Sequence, residues 1–84
     1  MMEPLVSVII PAYRCAETIQ KAVDSALAQE VPLEVIVLND RSPDDLDRVM
    51  EQYRDMIQVR YLVNENNMGA AASRNRGVEL ARGK

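Results

Sequence analysis

VIVLNDRSPDD, residues 35–45, is the stretch whose reading decides the fold. Four apolar residues, three of them β-branched, run into Asn39 and Asp40. A short apolar run bounded by turn-forming residues reads as a parallel strand buried on both faces. The residues behind it read as a helix start, with Ser42 as N-cap, Pro43 at the first helical position and Asp44 and Asp45 in the first turn. Acids there face the positive end of the helix dipole. A buried strand handed directly to a helix is the repeating step of a parallel α/β sheet. The same reading leaves Asp40 bare at the strand's carboxyl end. Ser42 already supplies a cap, so Asp40 either stands in solvent or faces a ligand.

The flanking sequence repeats this step on both sides. Leu5 to Ile10 (LVSVII) is another short apolar run, set between Pro4 and Pro11, and reads as a buried strand. From Ala16 to Gln29 the period changes, and Ile19, Ala22, Val23, Ala26 and Leu27 form one helical stripe that Pro32 closes. Leu33 to Leu38 is the second strand, and Leu46, Val49, Met50 and Tyr53 are the inward stripe of the second helix. Ile57 to Val63 (IQVRYLV) alternates apolar and polar residues, which predicts a third strand with one wetter face. Asn64 to Gly69 is a polar loop, and Ala70 to Arg82 a last helix. Its small residues Ala70, Ser73, Gly77 and Ala81 allow close packing on a sheet. The expected fold class is α/β: a three-layer βαβαβα Rossmann-like half of a doubly wound parallel sheet, one domain over residues 1–84.

Composition narrows the function. The chain is 48% hydrophobic and 27% charged with a net charge of −3, which suits a globular domain and argues against a nucleic-acid partner. Cys15 is the one cysteine and there is no histidine, which leaves no cysteine cage and no imidazole base. No apolar stretch approaches the ~20 residues of a membrane span, and Glu3 and Pro4 interrupt any signal-like start. The expected setting is cytoplasmic.

Open α/β sheets bind ligands at the carboxyl ends of their strands. Those ends are Pro11 to Arg14, Asn39 to Ser42 and Asn64 to Gly69, and none carries a glycine-rich dinucleotide fingerprint or a P-loop. Tyr13 offers a flat stacking face. Asp40 offers an acceptor-only carboxylate suited to a base N–H or a ribose hydroxyl. Both residue types are also ordinary surface filler, and their placement on adjacent strand ends raises the functional reading beside that one.

VSVIIPAYRCAETIQKAVDSALAQ (6–29), LEVIVLNDRSPDD (33–45) and NENNMGAAASRNRGVELARGK (64–84), taken in order, resemble the opening of family 2 glycosyltransferases, enzymes with the GT-A fold. The family's Pro-x-Tyr-Asn motif is matched by Pro11, Ala12 and Tyr13, with Arg14 replacing the Asn. Its Asp-Asp-x-Ser motif is matched by Asp40 and Ser42, with Asn39 replacing the first acid. Its Asn-x-Gly-x-x-x-x-Arg-Asn motif is matched by Asn67, Gly69, Arg74 and Asn75. The resemblance implies nucleotide binding by Pro11, Ala12, Tyr13, Asp40 and Arg74, a nucleotide-diphosphate sugar as donor, and action near a membrane for the whole enzyme. It also implies a divalent metal, Mg or Mn, held by an Asp-x-Asp on a fourth strand beyond Lys84. The chain thus reads as a nucleotide-binding front end, truncated before the metal-binding strand and inactive in transfer alone. Without that strand, LVSVII presents an apolar edge, from which homo-oligomers are expected. The alternative is a non-catalytic α/β interaction or oligomerisation module.

Overall fold

In the computed structural model, which describes residues 6–81, three strands alternate with three helices. They are β1 (Val6–Ala12), α1 (Ile19–Leu27), β2 (Leu33–Asn39), α2 (Leu46–Met50), β3 (Val59–Val63) and α3 (Ala70–Leu80), with a 3-10 turn at Glu51–Tyr53 extending α2. Leu5 and Arg82, the expected limits of the first strand and last helix, lie outside the described residues.

The sheet is parallel, in the order β1-β2-β3. Ala12 stands beside Asn39, and Asn39 beside Val63, so the three carboxyl ends finish together. β2 is the central strand and is buried from Glu34 through Asn39, which is why its sequence is the most continuously apolar. Val35 and Val37 point to one face, where they pack with Ala12, Ile19, Val23, Leu46, Met50 and Tyr53 under α1 and α2. The Tyr53 hydroxyl donates to Asp24 (2.7 Å), tying the end of α2 to α1.

α3 covers the other face. A Cβ added at Gly77 would lie 2.5 Å from Ile9 Cγ2 and 2.9 Å from Leu38 Cδ1, so the glycine sets how closely helix and sheet meet. Ser73 is buried as well, while Ala70 is exposed and Ala81 lies past the helix end. At the amino end of this face, buried Glu34 accepts from Ser7 Oγ (2.7 Å) and pairs with Arg60 (3.6 Å). Arg60 also donates to the Leu80 carbonyl (2.9 Å) at the end of α3. The polar positions of β3 thus meet a helix terminus and a carboxylate, as well as solvent.

Several boundaries depart from the sequence reading: β3 starts at Val59, because Ile57 and Gln58 form an exposed turn, and β2 runs one residue further, to Asn39. α1 starts at Ile19, because residues 16–18 form a turn whose Thr18 and Ile19 N–H groups both bond the Cys15 carbonyl (2.9 and 2.8 Å). α2 starts at Leu46, with Asp45 at the N-cap position and no side-chain cap bond. Ser42 is therefore not its cap: its Oγ accepts the Arg14 N–H (2.8 Å), and Asp44 Oδ2 accepts the Ala16 N–H (3.0 Å). Those two side chains stitch the β2–α2 loop to the β1–α1 loop. Finally, β1 continues through Pro11 to Ala12. The Ala12 carbonyl accepts the Asp40 N–H (2.9 Å), so Ala12 faces β2 and Pro11 faces the opposite, open edge. A proline there breaks no ladder bond.

Candidate functional site

The last rungs of the ladder bring three loops to one end of the sheet. The Asp40 N–H bonds the Ala12 carbonyl, and the Asn64 N–H bonds the Asn39 carbonyl (2.8 Å). Each strand then releases its loop beside its neighbour's. Tyr13 leaves β1 exposed, at 43% of its surface. Asp40 leaves β2 almost wholly buried, at 3%.

The Asp40 carboxylate is engaged inside the protein. Oδ1 accepts the Met68 N–H (2.6 Å) and the Asn64 amide (3.0 Å), and Oδ2 accepts the Gly69 N–H (2.8 Å). Its backbone carbonyl accepts from Asn67 Nδ2 (3.2 Å). Gly69 turns the chain at φ +86° immediately before α3, a conformation that favours glycine. Asp40 is thus the anchor of the loop entering α3, placed at the helix's positive end. Burial works to raise its carboxyl, but the Met68 and Gly69 N–H groups and the Asn64 amide outweigh that, leaving it below the ordinary carboxylate value. A carboxylate has about four acceptor positions. Three are taken by these bonds, and the Ser73 hydroxyl also supports the charged carboxylate, so the loop and α3 supply its partners from within the protein.

Asn64 is a member of this site that the motifs did not reveal. It is 1% exposed, and its amide bridges Asp40 and Ser73 Oγ (2.8 Å) while its carbonyl oxygen accepts from Arg76. One side chain therefore joins the ends of β2 and β3 to α3. The signal available in the sequence was an asparagine directly after the third apolar run.

Asn39, the departure from the family's paired acids, has a local reason. Its Oδ1 accepts the Ser42 N–H (2.7 Å) and its Nδ2 donates to the Tyr61 hydroxyl (2.7 Å). Tyr61 gives its one proton to Asp47, so its partner at position 39 must be a donor, which an amide is and a carboxylate is not. Burial, and then the Asp47 bond, push the Tyr61 phenol above its ordinary value.

At position 14 the backbone favours the family's asparagine over the arginine present. Arg14 has φ +55° and Arg41 has φ +58°, both in the left-handed region that asparagine tolerates better than arginine. The Arg14 guanidinium lies over the Tyr13 ring, 5.4 Å from its centroid. Burial raises the Cys15 thiol above its usual value, which makes it a poor nucleophile.

Of the expected nucleotide-binding residues, Tyr13 presents its side chain and Asp40 lies behind it at the next strand end. Ala12 is 1% exposed and belongs to the core. Pro11 lies on the open edge, and Arg74 is exposed in the second turn of α3. Among the described residues, no group of three His, Cys, Asp or Glu side chains converges to hold a metal. The resemblance places the ligands of its divalent ion outside these residues.

Comparison with known proteins agrees with this layout. The glycosyl transferase family 2 model matches residues 7–84. Chondroitin synthase of Escherichia coli is 42% identical over 82 residues, which are 95% of this chain and 12% of that protein. The structure of S. aureus TarS 1-349 in complex with UDP-GlcNAc superposes with a TM-score of 0.83 at 30% identity, covering 98% of this chain and 24% of that one. A Pyrobaculum calidifontis mannosyltransferase solved with GDP-Man and Mn2+ shares the fold, with a TM-score of 0.81 at 24% identity over 96% of this chain and 25% of that one. The chain therefore spans a quarter or less of the length of each of these proteins. With its α/β half-sheet, its three motifs in order and a family match over nearly every residue, the chain belongs to glycosyl transferase family 2.

Proposed function

We propose that this chain forms the nucleotide-recognising part of an enzyme that transfers sugar from a nucleotide-diphosphate donor. The observation that carries the reading is the pairing of an exposed Tyr13 ring with a buried, loop-anchoring Asp40 at adjacent strand ends. The base stacks on Tyr13. Asp40 is the acceptor for a ring N–H at this strand end, and the loop of Asn67 to Gly69, fixed by the same carboxylate, flanks the base. Arg74 extends from α3 toward the phosphates. The TarS relative, solved with UDP-GlcNAc, supports a nucleotide-sugar donor. The role proposed for these residues is binding and orientation.

Titration of uridine diphosphate, and separately guanosine diphosphate, into the chain tests this. Saturable binding of one of them is expected, weakened roughly tenfold by loss of the stacking face in Tyr13→Ala, in line with about 1–3 kcal/mol for a base–aromatic stack. No saturation at millimolar concentrations of either nucleotide would contradict the proposal and favour the non-catalytic module.

A further inference from the structure

We propose that Arg14 is a positioning residue for nucleotide binding, fixing the Tyr13 ring from one face so that a base stacks on the other. The inference rests on the nucleotide-binding reading above and adds a residue that the family motif does not supply, since the resemblance places an asparagine at this position.

Three observations lead to it. First, Arg14 holds a left-handed backbone at φ +55°, a costly place for a long side chain without a compensating contact. Second, that backbone is held from the neighbouring loop: the Arg14 N–H donates to Ser42 Oγ, which in turn donates to Asp44, and Asp44 receives the Ala16 N–H. The loop is therefore built around this conformation. Third, the side chain so directed ends over the Tyr13 ring at 5.4 Å from the centroid, inside cation–π range. A ring 43% exposed at a strand end would otherwise sample several rotamers, and each would have to be given up on binding. The guanidinium removes that freedom beforehand. It occupies one face and leaves the opposite face as the stacking surface.

The effect acts through Tyr13 on the base, so it must appear equally with the nucleoside and the nucleoside diphosphate of whichever base binds, uridine or guanosine. The test is a double-mutant cycle read by titration calorimetry on the chain, with Arg14→Asn, Tyr13→Ala and both together. Arg14→Asn relieves the backbone, so its melting temperature is expected to hold or rise while affinity for both ligands falls by the same factor, roughly three- to five-fold. In the Tyr13→Ala background the Arg14 change is expected to have no further effect. Unchanged affinity in Arg14→Asn would overturn the proposal. A loss that persists in the Tyr13→Ala background, or that affects the diphosphate alone, would also overturn it by showing direct action on phosphate. If neither uridine diphosphate nor guanosine diphosphate binds the wild-type chain, the underlying nucleotide reading fails, an outcome separate from wild-type binding that is insensitive to Arg14.

Discussion

Asp40 puts its carboxylate where two backbone N–H groups and an amide need an acceptor, and that arrangement has measurable consequences. Replacing it with alanine removes the charged acceptor of the part-buried Met68 and Gly69 N–H groups and of the buried Asn64 amide, at about 1–3 kcal/mol for each such bond. Asp40→Ala should therefore lose about 3 kcal/mol in chemical denaturation, with the largest rise in amide exchange at residues 68 and 69. A loss below about 0.5 kcal/mol would show that the loop does not depend on it. The pH dependence follows from the same contacts. Since the folded carboxyl lies below its ordinary value of 3.8, its stabilising contribution is complete above that pH. It is lost as pH falls below 3.8 toward the folded value, and Asp40→Asn should flatten this acid limb. Arg41 makes the opposite case. Its φ of +58° costs an L-residue roughly 1–2 kcal/mol. Arg41→Gly recovers that, less the roughly 0.5–1 kcal/mol of added chain entropy, so a net gain of about 0.5 kcal/mol is expected in a thermal melt.

Elements were legible in the sequence where burial alone set their composition. β2 is covered on both faces, so its residues are apolar without a break, and its place at the sheet centre follows. The start of α2 was not legible, because Ser42 and Asp44 find their partners 28 residues away, at Arg14 and Ala16. A local rule sees a capping sequence, and only the packed loops show where those acceptors go. Asn64 escaped for the same reason, its bonds reaching 24 residues back to Asp40 and 9 forward to Ser73. Gly77, in contrast, was marked by the run of small residues on α3. Gly77→Ala is expected to push against Ile9 and Leu38 and to destabilise by about 1–3 kcal/mol, the usual cost of overpacking. A stabilised Gly77→Ala would mean that helix propensity outweighs this contact and that α3 sits farther from the sheet.

At the scale of the whole molecule, the sheet of the described residues ends on β1 at one side and β3 at the other. On the open side of β1, Ile9 presents its backbone groups, while Pro11 presents no donor. Self-association of the 84-residue chain through this edge is expected to rise with concentration in light scattering and to weaken in Ile9→Pro, whereas a monomer at millimolar concentration would exclude it. The opposite end of the architecture, where Tyr13, Asp40 and the Asn64–Gly69 loop meet, carries the central claim. The most direct test is an amide-resolved NMR titration of the chain with uridine diphosphate and, in parallel, guanosine diphosphate. Saturable shifts clustered at Tyr13, Arg14, Asp40 and Met68 to Ala70 are the predicted result. No shifts at millimolar nucleotide, or shifts centred instead on Asp47, Tyr53 and Tyr61 beneath α2, would contradict it.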